Sequence, residues 1–127
     1  DEFAWLGTRD PSAQLAIPAA IAFLKQVGLD EFRRYTHELA SYARQRLTDL
    51  APRAPIVPDL PEWYGAMAHL PLPPGDAKKL QLALWEQFGM EVPIIDFAQQ
   101  RWIRVSCHLY NNKADIDRLA EALRALL

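Results

Sequence analysis

Apolar residues recur along this chain at two spacings, every three to four positions in some stretches and every second position in others, which divides it into helices and strands. From Ser12 to Val27 a helix is expected, with apolar side chains nearly all round it: Leu15, Ile17, Ala20, Ile21, Phe23, Leu24 and Val27. Asp10-Pro11 supplies the start signal, an Asx side chain for the first free amides and a proline whose missing N–H costs nothing there. Pro18 is the weak point of this helix, where it kinks or restarts. A helix apolar on every side needs burial on every side, so it calls for neighbours beyond those that 127 residues supply. Gly28 closes it, and Asp30 is expected to cap the next helix, whose core stripe is Phe32, Tyr35, Leu39, Ala43, Leu47 and Leu50. Arg33, Arg34, Arg44 and Arg46 are read as the solvated face of that helix.

Ala51 to Pro61 holds four prolines and no period, so it is an extended connection. Tyr64 to Leu70 alternates as a strand, which Pro71, Pro73 and Pro74 end. Gly75-Asp76 opens a helix to about Phe88 with core positions Leu80, Ala83, Leu84 and Phe88, stopped by Gly89. Glu91 to Phe97 is a short strand that Pro93 pushes to a sheet edge, and Ala98-Gln99-Gln100 is short enough for a hairpin into the strand Gln99 to Leu109. On that strand Ile103, Val105, Cys107 and Leu109 point one way, and Trp102, Arg104, Ser106 and His108 the other. Asn111-Asn112 caps a last helix with Asp115 and Asp117 near its positive end and Ile116, Leu119, Ala120, Leu123 and Leu127 on its buried side. The predicted fold is α+β: a small, three-stranded, mainly antiparallel sheet covered by helices on one face, with the face that carries Arg104 left bare.

Composition narrows the possibilities. Half of the residues are hydrophobic and a quarter charged, which describes a globular chain, and the size is that of one domain over residues 1–127. The net charge of −2, with both signs interspersed, predicts no nucleic-acid partner and no anionic membrane surface. The single cysteine, Cys107, excludes an internal disulfide; with no membrane-length apolar run and no signal-peptide pattern, the expected compartment is the cytoplasm. The opening Asp1-Glu2-Phe3-Ala4-Trp5, without an initiator methionine, suggests a piece of a longer polypeptide.

Most chemical constellations are missing. There is no glycine-rich phosphate loop of the Walker or dinucleotide type, and His37, His69 and His108 are too scattered for metal-ligand spacing, so no metal is expected. Ser106 and His108 lie two apart but lack a nucleophile elbow. Two features remain. In Trp5-Leu6-Gly7-Thr8-Arg9-Asp10 a glycine permits close backbone approach and a hydroxyl follows at once, a combination suited to a phosphate oxygen. In Arg104-Val105-Ser106 a guanidinium stands on a strand face, the group best shaped to grip a carboxylate with two parallel bonds.

In this order and separation, Trp-x-Gly-Thr-x-Asp followed by Ile17-Pro18-Ala19-Ala20-Ile21, and Arg104-Val-Ser-x-x-x-Tyr110-Asn111-x-x-x-Asp115-Ile116-Asp117-x-Leu119, resemble the C-terminal part of class V aminotransferase-like enzymes. These are fold type I pyridoxal-phosphate proteins, and within them the resemblance is to the isopenicillin N epimerase-like branch; it covers essentially the whole chain. It implies a homodimeric enzyme of which this chain is the small C-terminal domain with its entering helix. It implies that pyridoxal 5'-phosphate is the cofactor, that Gly7 and Thr8 meet the cofactor phosphate of the partner subunit, and that Arg104 holds the α-carboxylate of an amino-acid substrate. Asp10 caps its helix, and Tyr110-Asn111 set the turn into the last one. The lysine that would form the Schiff base, the acid that pairs with the pyridine nitrogen and the aromatic that stacks on the ring match nothing here, and Lys25, Lys78, Lys79 and Lys113 lie in no such motif. These 127 residues alone are therefore expected to be catalytically inert. Epimerisation, desulfuration, C–S lysis and transamination all begin with loss of the Cα proton, so the reaction stays open. The rival is a free-standing carboxylate- or protein-binding module, which the all-round apolar helix disfavours; a hydrolase built on Ser106 and His108 is a distant third.

Overall fold

A computed structural model describes residue 7 and residues 10–127. The chain divides into two compact units, residues 1–32 and residues 33–127. In the first, α1 (Ser12–Leu15) and α2 (Ile17–Val27) are separated at Ala16, with Pro18 in the opening turn of α2. The proline thus restarts the helix at a position where its missing N–H has no carbonyl to meet. The Asp10 carboxylate accepts from the backbone N–H of Ser12 at 2.9 Å, but Pro11, expected at the first helical position, is itself the N-cap residue. Gly28, with φ of +89°, ends α2, and α3 (Leu29–Leu47) begins at the next residue. Asp30 therefore lies inside the first turn of α3 and does not cap it, though its charge there still suits the positive helix end. No residue of α2 is buried, and Ile17, Ile21 and Phe23 are among the exposed large hydrophobics.

The second unit, which takes α3 from residue 33 onward, is built on β1 (Met67–Pro71), α4 (Ala77–Phe88), β2 (Ile94–Phe97), β3 (Gln100–Ser106) and α5 (Lys113–Leu126). The strands form one antiparallel sheet in the order β1-β3-β2, so the strand with Arg104 is central and Pro93 lies just ahead of an edge strand. This is the α+β arrangement that the two rhythms predict. Leu39, Ala43 and Leu47 of α3, Leu80 and Leu84 of α4, and Ile116, Leu119 and Leu123 of α5 close over Ala68, Leu70, Ile103 and Val105. Burying each large aliphatic side chain contributes on the order of 1.5–3 kcal/mol.

Local chemistry explains the joints. Asp76 accepts from the N–H of Lys79 to cap α4, and Gly89 ends it in the left-handed region at φ of +64°. Asn112 and Asp115 form a reciprocal capping box at α5. The hairpin between β2 and β3 is tighter than its composition suggests: Phe97 pairs with Gln100, so the loop is Ala98-Gln99, with φ of +50° and +58°. Two side-chain-bearing residues thus occupy backbone that usually selects asparagine and glycine.

Further expectations need correction. β1 starts at Met67, after Tyr64, and includes Pro71, which an edge strand tolerates. β2 starts at Ile94 rather than Glu91. Leu127 is exposed, and Leu126 packs on the core in its place. Arg44 is not on a solvated face: only 6% of it is accessible. Its Nη2 donates to the carbonyl of Val57 at 2.6 Å, its guanidinium lies 4.9 Å from the centre of the Tyr64 ring, and its Nε is 4.0 Å from Asp59. It thereby ties the irregular segment 51–64 to α3. Ser41 adds a hydrogen bond to Asp59, as does Tyr64, and His37 bonds the carbonyl of Tyr64.

Candidate functional site

On the sheet face opposite the helices, the central strand carries Trp102, Arg104 and Ser106, and the register sets His69 of β1 beside Arg104. Arg104 is exposed, and its guanidinium has no carboxylate and no hydrogen-bond acceptor among the described residues. Its backbone is fixed, however, with the N–H bonded to the carbonyl of Pro93 at 3.1 Å. A rigid stem with a free planar fork is what two-point binding of an oxyanion requires.

Arg104 lines two cavities. One, of about 230 Å³, lies toward α5 and is bordered by Glu91, Pro93, Ser106, Asn111 and Asp115. The other, of about 480 Å³, lies between the sheet and the segment 51–64, with Ile56, Trp63, Met67, His69, Phe97 and Trp102 in its walls. The Trp102 ring lies 5.6 Å from that of His69 and is buried, and its Nε1 donates to the carbonyl of Phe97. Trp102 thus forms a floor, and its N–H is already used. The guanidinium of Arg53 lies over the same ring at 5.4 Å.

His69 was not singled out by the sequence pattern as a site residue; its position inside an alternating stretch was the signal available. Burial, aided by the charge of Arg44, lowers its pKa below the ordinary 6.5, which leaves the imidazole neutral near pH 7. Its Nε2 is buried with no hydrogen-bond partner among the described residues. His108 does not share this face as a strand residue, because β3 ends at Ser106; its ring stacks on Tyr110 at 4.8 Å. The Ser106 and His108 pairing that a hydrolase needs therefore loses its strand geometry. Cys107 is buried among apolar groups, which push its thiol up to about 11 and make it a core residue. Asn111 sets the turn before α5: its side chain accepts from the N–H of His108, and its carbonyl accepts from Tyr35.

Of the two residues placed toward a phosphate, Thr8 lies outside the described residues. Gly7 has φ of +66°, and no described atom comes within 4 Å of where a Cβ would stand. That is an open backbone in a conformation that side-chain-bearing residues rarely adopt. Gly7 and Arg104 belong to different units. Lys25, Lys78 and Lys79 are exposed on helices, and Lys113 lies over the ring of Tyr42. Among the described residues no three His, Cys, Asp or Glu side chains gather as a metal site.

The family model for class V aminotransferases matches residues 5–119. The chain is 40% identical over 121 residues to isopenicillin N epimerase of Amycolatopsis lactamdurans, covering 94% of this chain and 30% of that protein. It is 31% identical to a probable chloroplastic L-cysteine desulfhydrase of Arabidopsis thaliana, over 99% of this chain and 30% of that protein. It is also 31% identical to a probable cysteine desulfurase of Halalkalibacterium halodurans, over 92% of this chain and again 30% of the relative. The chain thus spans about 30% of the length of these curated relatives. The family's cofactor is pyridoxal phosphate, as the two motifs imply. With the motifs at both ends inside the matched span, the chain belongs to the class V aminotransferase family.

Proposed function

We propose that the whole protein is a pyridoxal-phosphate enzyme that removes the Cα proton of an amino acid, in the manner of an epimerase, and that this chain supplies the carboxylate anchor. The observation that carries the reading is Arg104, a guanidinium fixed on the central strand and left without a counter-ion among the described residues. An α-carboxylate satisfies it with two parallel charge-assisted bonds, which orients the Cα substituents. When bound, the cofactor supplies the electron sink that makes the Cα proton removable. Gly7 and Thr8 hold the cofactor phosphate of a twofold partner in a homodimer, the glycine by close approach and the threonine by its hydroxyl. Desulfuration or C–S lysis is the alternative outcome, since it begins with loss of the same proton. The 127 residues by themselves perform no chemistry on this reading.

Replacing Arg104 by Leu in the full-length protein tests the anchor. Substrate binding weakens by roughly 2–5 kcal/mol if the pair is desolvated, while the cofactor's absorbance stays in place. Loss of the cofactor with unchanged substrate affinity would show that the roles are misassigned.

A further inference from the structure

The two cavities that meet at Arg104 differ in charge, and the difference decides where the rest of a bound carboxylate goes. The smaller has Glu91 and Asp115 at its border, so an anion entering it meets negative groups. Among the described residues no acidic side chain lines the larger one; Arg104 lines it, and the guanidinium of Arg53 lies over the Trp102 ring in its floor. At about 480 Å³ it falls within the roughly 300–1,000 Å³ of small-molecule sites. It also gathers into one surface large hydrophobics that are otherwise exposed: Ile56, Trp63, Met67, Ile95 and Phe97. The side chain next to the guanidinium, His69, is neutral near pH 7 and does not compete for the anion. A cavity with apolar walls and cationic side chains beside them complements a ligand with a carboxylate at one end and a bulky apolar group beyond it.

We propose that the space between the sheet face and the segment 51–64 receives the side chain of the amino-acid substrate, and that this side chain is bulky and apolar, aromatic or branched aliphatic. The inference rests on the reading of Arg104 as carboxylate anchor. Trp63 and Ile56, both on the irregular segment, are the specificity-determining residues. A methyl or thiomethyl side chain leaves these walls in water and gains nothing from them.

Isothermal calorimetry on the full-length protein with 3-phenylpropanoate and propanoate separates the two readings, because neither probe carries the amino group needed for reaction. The larger acid is expected to bind at least about tenfold more tightly. Trp63→Ala and, separately, Ile56→Ala should reduce that ratio severalfold with propanoate affinity unchanged. Arg104→Leu should weaken both acids. If Arg104→Leu weakens both while the wild type binds them equally, the apolar subsite is refuted and the anchor stands, and another segment of the protein covers these walls. If Trp63→Ala and Ile56→Ala both leave the ratio intact, the subsite is likewise refuted. If Arg104→Leu changes neither affinity, the anchor fails, and the subsite with it.

Discussion

Removing the head group of Arg44 is the most direct test of what holds the segment 51–64 over the sheet. The side chain makes one short charged hydrogen bond, to the carbonyl of Val57 at 2.6 Å. A bond of that kind contributes about 1.5–3 kcal/mol when its partner is left buried. The Tyr64 ring at 4.9 Å adds about 1–2 kcal/mol in a desolvated setting. The contact with Asp59, at 4.0 Å and about one-third exposed, adds about 0–1 kcal/mol. Against these stands the cost of desolvating the guanidinium, whose Nη1 is buried with no partner among the described residues. The net expectation for Arg44→Ala is a loss of about 2–4 kcal/mol, and for Arg44→Met, which keeps the apolar stem, a smaller one. Urea unfolding followed by circular dichroism gives the energy, with Arg118→Ala on the exposed face of α5 as control. Hydrogen exchange of the amides in 51–64 gives the location. A loss below about 1 kcal/mol, no larger than the control, refutes the tether; a full loss with unchanged exchange in 51–64 places the energy in core packing instead.

Two further perturbations test other parts of the fold. Changing Ala98-Gln99 to Asn-Gly relieves two residues held at positive φ and should stabilise the hairpin by about 1–2 kcal/mol, seen as a higher midpoint in thermal unfolding; a lower midpoint would show that these side chains make contacts that matter more than the backbone. Tyr42 and then Arg46 hold the Asp117 carboxyl below its ordinary 3.8, so its contribution is complete above that value and is lost as pH falls through the lowered folded pKa. Asp117→Asn should therefore flatten the acid limb of the stability profile below about pH 4, and an unchanged limb would mean that the three groups do not interact in solution.

The helices and strands were legible because burial follows the period: Leu80 and Leu84, or Ile103 and Val105, face the core as their spacing demands. Pro18 and Gly28 also acted through backbone rules that need no tertiary context. Arg44 was not legible. By spacing it belongs with the other arginines, and only the return of residues 57–64 across α3 buries it, a contact between segments that no local pattern encodes. Strand ends failed for a related reason, since β3 stops at Ser106 where Asn111 takes the N–H of His108 and pulls the chain into a turn. For the site, the arginine was readable because the two-residue alternation puts it on the face opposite Ile103 and Val105. Its neighbours were not, because His69 and Trp63 reach it through register and a loop.

The order of the sheet carries one more consequence. Arg104 stands on the middle strand, clasped by a neighbour on each side, whereas Trp63 and Ile56 belong to a stretch outside the sheet that side-chain bonds and ring contacts fasten to α3. On the roles proposed above, grip would come from laddered backbone and discrimination from a stretch outside the ladder. If so, exchanging Trp63 or Ile56 would redraw the preferred ligand from one segment while no ladder hydrogen bond of the gripping strand is touched.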